Sequence, residues 1–372
     1  MEKRLDNTMA GLLPVEIVYH PSWWHKHAGI DFDEDFYFHP LKRVESEMLM
    51  EKILYDKFGD FGLGENHGQS RPEVGAVHNA AGFMLSEMMG CKVNYMEDAA
   101  PQVIQMGLDS LHIDSEAPFK SARFKKFMEL CDSLKTRYNY LTGDVNWGGI
   151  LNLAMDLRGS EMMMDFYTEP EEVKTFFNSL LAVIESFVKG IQKETGTSSV
   201  SVNRMVKHFR KPVYLHSECS NTMISNDLYE EFLLPFDIKW SMENRPFGIH
   251  YCGPDPHRYA AQFQKIPALD FLDVGWGGDI KILRDALPNT FLNIRLDPVS
   301  LKDQTDDFIA STIRQLVSES GNPYLTGVCC INMDDQVPDE KVVTILKTIK
   351  EIKNEWNQRT KSCIGNSARN II

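Results

Sequence analysis

From about residue 138 onward, short β-branched or apolar runs alternate with stretches whose apolar residues recur at helical spacing. The runs fall at 138–144, 211–218, 247–252, 270–275, 291–297 and 324–329. The helical stretches begin after Ser225-Asn226 and continue over 256–264, 280–286, 301–318 and 339–354. Strand and helix alternating over this length predict a parallel sheet covered by helices. A closed barrel and an open doubly wound sheet both satisfy that alternation. The open form advertises a glycine fingerprint after its first strand. Neither G-x-G-x-x-G nor G-x-x-x-x-G-K-[ST] occurs here. Polar and metal-competent residues instead gather at the C-terminal ends of several runs: Asp144, Glu218, His250, Cys252, Asp297, Cys329 and Cys330. A barrel assembles its site on that face from many strands. The expected fold is therefore α/β, a TIM-type (β/α)8 barrel.

The first 130 or so residues read differently. Segment 20–40 is rich in aromatics and histidine and predicts an irregular loop or cap. Segment 77–90 predicts a helix stopped by Gly90. The whole chain, 1–372, is expected to form a single domain, with 1–75 as an N-terminal extension capping one barrel face. His20, His25, His27 and His39 fit no common tetrahedral spacing, and an aromatic lid or partner surface is expected of them. His78 reads as a hydrogen-bonded core histidine.

Charge narrows the class. Against 39 basic residues stand 53 acidic ones, a net charge of −14. Such a chain is repelled by nucleic-acid phosphates and by anionic membrane surfaces, so neither is expected as a partner. Seven cysteines, odd in number and irregularly spaced, suit a reducing compartment better than a disulfide framework. The charged start of the chain lacks the apolar core of a signal peptide, and no apolar run reaches 18 residues. A cytoplasmic location is expected, with homo-oligomerisation left open.

Chemistry concentrates at His250-Tyr251-Cys252. Positions i and i+2 of a strand point to the same side, so an imidazole nitrogen and a thiolate can meet at one point. A sulfur at the end of a later strand, Cys329 or Cys330, completes three ligands. Neighbouring strand residues point to opposite faces, so at most one of that pair serves. Three ligands with a fourth position open are the catalytic pattern of zinc. On spacing alone, buried structural roles for these residues stay open. Glu218 ends a run and reads equally as a catalytic or metal-binding carboxylate and as a helix cap. Asp144 is a candidate catalytic residue, and Asn146 and His216 are candidate cofactor or substrate contacts.

The stretch Gly248-Ile249-His250-Tyr251-Cys252-Gly253 resembles the His-x-Cys-Gly motif of zinc-dependent methylcobalamin:coenzyme M methyltransferases, a branch of the uroporphyrinogen decarboxylase superfamily. Leu157-Arg158-Gly159-Ser160-Glu161 followed by 167–173 is similar to the superfamily's R-G … P-E-x-V helix entry. Segments 225–235, 291–301 and 324–338 resemble its S-P-x-x-F-x-E-F-x-x-P helix, its G-x-x-D-P-x-x-L strand end and its Cys-Gly segment before a P-E helix. The similarity runs over roughly residues 75–351.

This resemblance implies that His250 and Cys252 are zinc ligands. The third is Cys330, placed by its distance to Pro338, with Cys329 close behind; Ile331 stands where the family has glycine. It also implies methyl transfer between a corrinoid, as a corrinoid protein or free methylcobalamin, and a thiol acceptor or a methylated small molecule. The direction is left open. Asp255-Pro256-His257 only begins like a corrinoid-ligating motif, and Ala260 stands where that motif has glycine. The corrinoid is therefore expected in trans, and Asp255 reads as a helix cap. For Asp297 a structural turn is expected. The arginine-rich segment with which the decarboxylase branch holds substrate carboxylates is missing after Trp23-Trp24. A decarboxylase acting on a tetrapyrrole or other carboxylated substrate, and a non-catalytic barrel binding a corrinoid protein or small ligand, are the alternatives.

Overall fold

Among the described residues ten strands form in chain order: β1 Val15–Tyr19, β2 Glu73–Val74, β3 Lys92–Asn94, β4 Gln102–Ile104, β5 Thr142–Gly143, β6 Tyr214–Ser217, β7 Phe247–His250, β8 Phe271–Val274, β9 Phe291–Arg295 and β10 Thr326–Met333. The computed structural model describes residues 11–66, 72–74, 83–143, 148–196 and 205–369, with side chains to residue 360 except at Glu73. Six strands pair in parallel in the order β1-β10-β9-β8-β7-β6. They are buried throughout except at Asn332, as a sheet covered on both faces requires.

Strand alternation sorts their side chains. Val18, Leu215, Phe271, Phe291, Cys329 and Ile331 form one cluster with Met205, Val206 and Phe209. β1 and β6 are the two edges of the sheet, yet both feed this cluster, so the sheet curls around it. Intervening residues, among them Ile17, Tyr214, Ile249, Leu272, Leu292, Val328 and Cys330, face the larger cluster shared with the helices. Inside the curl, Phe271 and Phe291 stack with ring centroids 5.7 Å apart. Glycines on the flanking strands make room for them. A Cβ at Gly248 would stand 2.9 Å from Phe271 Cβ, and one at Gly327 would stand 2.7 Å from the Phe291 ring.

β2 and β5 form a separate parallel pair, and β3 and β4 an antiparallel one. Among the described residues no ladder joins β2 and β5 to the six-stranded sheet, and 67–71, 75–82 and 144–147 lie outside them. The observed architecture is a curled, parallel six-stranded sheet with flanking helices, coarser than the closed eight-stranded barrel expected.

Sequence dictates the helices as it does the strands. Pro170–Thr195 starts with proline at its first position and buries Val173, Phe176, Phe177, Leu180, Ile184, Phe187 and Ile191 along one stripe. Asn226–Phe232 begins where Ser225 caps it, accepting from Leu228 N. Two expectations change. Segment 20–40 folds into the helices Pro21–Ala28 and Glu34–Phe38 and the start of Pro40–Phe58, because His20, Asp33 and His39 each accept from a first-turn N–H. Just before it, Val15–Tyr19 is a strand of the main sheet. β10 also runs four residues past its expected end at Cys329, which places Cys329 and Cys330 within a strand.

Candidate metal centre

Parallel register sets the height of every side chain at the C-terminal end of the sheet. Ser217 pairs with His250, His250 with Asp273, and Asp273 with Asn293. Cys252 follows His250, the last residue of β7, by two; Cys219 follows Ser217, the last residue of β6, by the same two. Two adjacent strands thus release a cysteine at the same level. The Cys219 and Cys252 sulfurs are 2.8 Å apart, and Cys252 Sγ is 2.7 Å from His250 Nε2. The ligand atoms of Cys219, His250 and Cys252 all lie within 4.8 Å of one another. A Cβ at Gly275 would stand 1.8 Å from the Gly253 carbonyl oxygen. Glycine there lets the chain beyond β8 press against the turn that carries Cys252.

Behind the imidazole stands a carboxylate. His250 Nδ1 hydrogen-bonds Asp273 Oδ2, and Asn293 Nδ2 donates to Asp273 Oδ1 at 2.9 Å. Asp273 and Asn293 are fully buried and His250 nearly so. Occupying Nδ1 in this way turns Nε2 toward the sulfurs. Burial pushes the His250 pKa down, but Cys252 and Asp273 outweigh it and raise the pKa to about 10. The hydrogen bond with Cys219, helped by the charge of His250, holds Cys252 well below the usual thiol range despite its burial. The same hydrogen bond, with burial, pushes Cys219 up. Two sulfurs and one imidazole, with a carboxylate behind the imidazole, are a donor set that fits zinc. Cys219 and Cys252 are the half-buried members, so the group is reached from solvent on the side of its sulfurs.

Cys219 is the member that sequence reasoning did not assign. Its signal was present: Ser217-x-Cys219 repeats the strand-end spacing of His250-x-Cys252 on the neighbouring strand. Cys330, first choice for the third ligand, points away from the interior into the helix-facing core, its Sγ 4.0 Å from Leu296 O. Cys329 does face the interior, where Asn293 Nδ2 donates to its Sγ at 3.3 Å. It stands on β10, three strands from His250, and is not in the group of three.

Glu218 takes the capping role. Its Oε2 accepts from Leu151 N at 2.8 Å and its Oε1 from Asn152 N at 3.1 Å, so it caps the helix Ile150–Arg158. His216 points the other way from the interior, under the helix Leu234–Glu243. Its Nδ1 is 2.7 Å from Asp237 Oδ1, and Tyr229 OH donates to Asp237 Oδ2 at 2.6 Å. Neither His216 nor Asp237 has exposed surface, and His216 is not in the Cys219–His250–Cys252 group. Asp144, Asn146 and His78 lie outside the described residues. Asp297 accepts from Val299 N as a helix cap, the turn role expected of it. His257 Nδ1 accepts from Asp279 N, and Asp255 accepts from Tyr251 OH rather than from a helix N–H. His25, Asp31 and Glu97 form a second, more exposed group at metal-binding distance; His25 and Asp31 pair there at 2.8 Å. Among the described residues no helix is long and apolar enough to cross a membrane.

Comparisons with known proteins agree with this architecture. A methyltransferase from Methanosarcina mazei superposes with a TM-score of 0.64 at 13% identity, over 92% of this chain and 95% of that one. A B12-independent methionine synthase from Shewanella sp. W3-18-1, solved with selenomethionine, gives 0.51 at 9% identity, over 94% and 100%. At such identities the likeness is one of fold. None of the curated proteins matches in sequence. The family description of uroporphyrinogen decarboxylase (URO-D), however, matches residues 79–352, more than half of the chain. The chain belongs to the uroporphyrinogen decarboxylase (URO-D) family.

Proposed function

We propose that this chain is a zinc-dependent methyltransferase that moves a methyl group between a corrinoid supplied in trans and a thiol or methylated small molecule. The observation that supports this reading is the Cys219–His250–Cys252 group, with Asp273 behind its imidazole. In this reading His250 Nε2 and the two sulfurs hold the ion. Asp273 keeps the Nδ1 proton and fixes the ring, and Asn293 holds Asp273. Bound zinc supplies Lewis acidity, which keeps an acceptor sulfur as thiolate at neutral pH. Such a thiolate would be the nucleophile for a methyl group carried by the corrinoid, with the corrinoid as the leaving group; Cys219, His250 and Cys252 would hold the ion, and Asp273 and Asn293 would keep the imidazole in place. Asp144 and Asn146, next after β5 in the chain, belong to the proposal as substrate-orienting residues. So do closure of the sheet into an eight-stranded barrel by β2 and β5, a corrinoid-protein partner and a cytoplasmic location.

The test is loss of methylcobalamin absorbance over a panel of thiols, with the zinc-loaded protein, followed by the reverse reaction with reduced corrinoid and methylated donors. Turnover with one of them, lost in Cys252→Ser, is expected. No turnover in either direction with zinc bound overturns the reading.

A further inference from the structure

Arg295, the last residue of β9, lies on the interior face with Phe291 and Asn293, four and two residues before it. It is 4% exposed, and its Nε and Nη1 have no hydrogen-bond partner. Its guanidinium lies 5.4 Å from the centroid of the half-buried Trp276 ring and close enough to Cys252 and Asp273 to feel their charge. Two other arginines, Arg284 and Arg158, spend their donors on the protein itself. Arg284 gives Nε, Nη1 and Nη2 to Ser320, Leu287, Thr290 and Leu325. Arg158 likewise spends its donors on Asp165 and Leu108 O.

A buried donor left without an acceptor is destabilising, so a group that supplies the acceptor is favoured there. The charge of Arg295 has nearby counterparts in Cys252 and Asp273. A divalent cation on Cys252 would take the first of these away, leaving a guanidinium short of both acceptors and negative charge. An anionic oxygen acid supplies both, and charge-assisted hydrogen bonds of this kind are about twice as strong as neutral ones.

We propose that Arg295 is the anion subsite of the centre, and that the substrate is a small carboxylic acid whose carboxylate docks on Nε or Nη1 beside Cys252. This inference rests on the metal reading above and adds to it the chemical class of the substrate. Arg295 fixes which molecules reach the centre and does not itself move a proton. The half-buried Cys219 and Cys252 mark the side from which the acid enters.

Butanoate and butanamide serve as probes, since they match in size, differ in charge, and contain neither a thiol nor a methyl donor group. Their binding is measured by calorimetry on the full-length protein, with zinc content determined in parallel. The wild type should prefer butanoate about 10- to 100-fold. Arg295→Gln should lose the preference, and Arg295→Lys, which keeps the charge, should retain part of it. Equal binding of the two probes by the zinc-loaded wild type, or a preference that survives Arg295→Gln, overturns the subsite. A zinc-free protein that still prefers butanoate through Arg295 overturns the metal reading and leaves the subsite standing.

Discussion

Asp273→Asn removes one charge and keeps the shape of the side chain. In the native site Asp273 accepts from His250 Nδ1 through one oxygen and from Asn293 Nδ2 through the other. The asparagine can offer only one oxygen, and its NH2 group must face either Asn293 or the ring. Facing the ring, it favours the tautomer whose Nε2 carries the proton and cannot bind a cation. Facing Asn293, it sets two amide NH2 groups against each other in a site without water-exposed surface. Loss of such a carboxylate behind a ligating histidine weakens metal affinity about 10- to 100-fold, or about 1.4–2.7 kcal/mol. Competition for zinc against a chromophoric chelator at neutral pH reads this directly, with circular dichroism to show that the fold is retained. A zinc Kd within about twofold of wild type, in a folded variant, would refute the reasoning that Asp273 orients the ring.

Two further perturbations probe the surrounding scaffold. The His216 pKa is raised to about 9, because Asp237 and Glu218 together outweigh a burial that pushes it down. That value stands above the ordinary histidine value near 6.5, so the stabilisation, on the order of 3 kcal/mol, is complete below about pH 6.5 and lost as pH rises through about 9. Urea denaturation across that window should show wild type losing stability relative to His216→Gln, and parallel profiles would contradict the assignment. A Cβ at position 149 would stand 2.3 Å from Glu218 Oε2 and 2.7 Å from Ser217 O. Gly149→Ala should therefore cost about 1–3 kcal/mol in the same assay, and an unchanged midpoint would show that the cap shifts freely.

How much of this was legible in the sequence varies element by element. The alternation of runs and helices located β6 to β9, each end within three residues of the observed one, because buried parallel strands are apolar on both faces and end in polar turns. β1 escaped notice because it lies far from that series, paired with β10 at the other end of the chain. His250 and Cys252 were legible because both ends of their spacing sit on one strand. Cys219 needed a different kind of information, the register between two strands. Sequence patterns fix which residues are strand and seldom how two strands align. Cys330 was favoured from its distance to Pro338, a measure along the chain that carries no sense of which face a side chain takes. Glu218 shows the same limit, since a carboxylate ending a strand looks alike whether it meets a substrate or the N-terminus of a helix 67 positions earlier in the chain. Arg295 gave no signal at all, because an unsatisfied donor is visible only once its neighbours are in place.

Zinc stoichiometry across single cysteine variants tests the centre most directly. Wild type, Cys219→Ser, Cys252→Ser, Cys329→Ser and Cys330→Ser would be purified under reducing conditions and analysed for metal. The account predicts about one zinc per chain in wild type and in the Cys329 and Cys330 variants, and its loss from the Cys219 and Cys252 variants. Zinc retained in a folded Cys219→Ser protein and lost from Cys329→Ser or Cys330→Ser would contradict it.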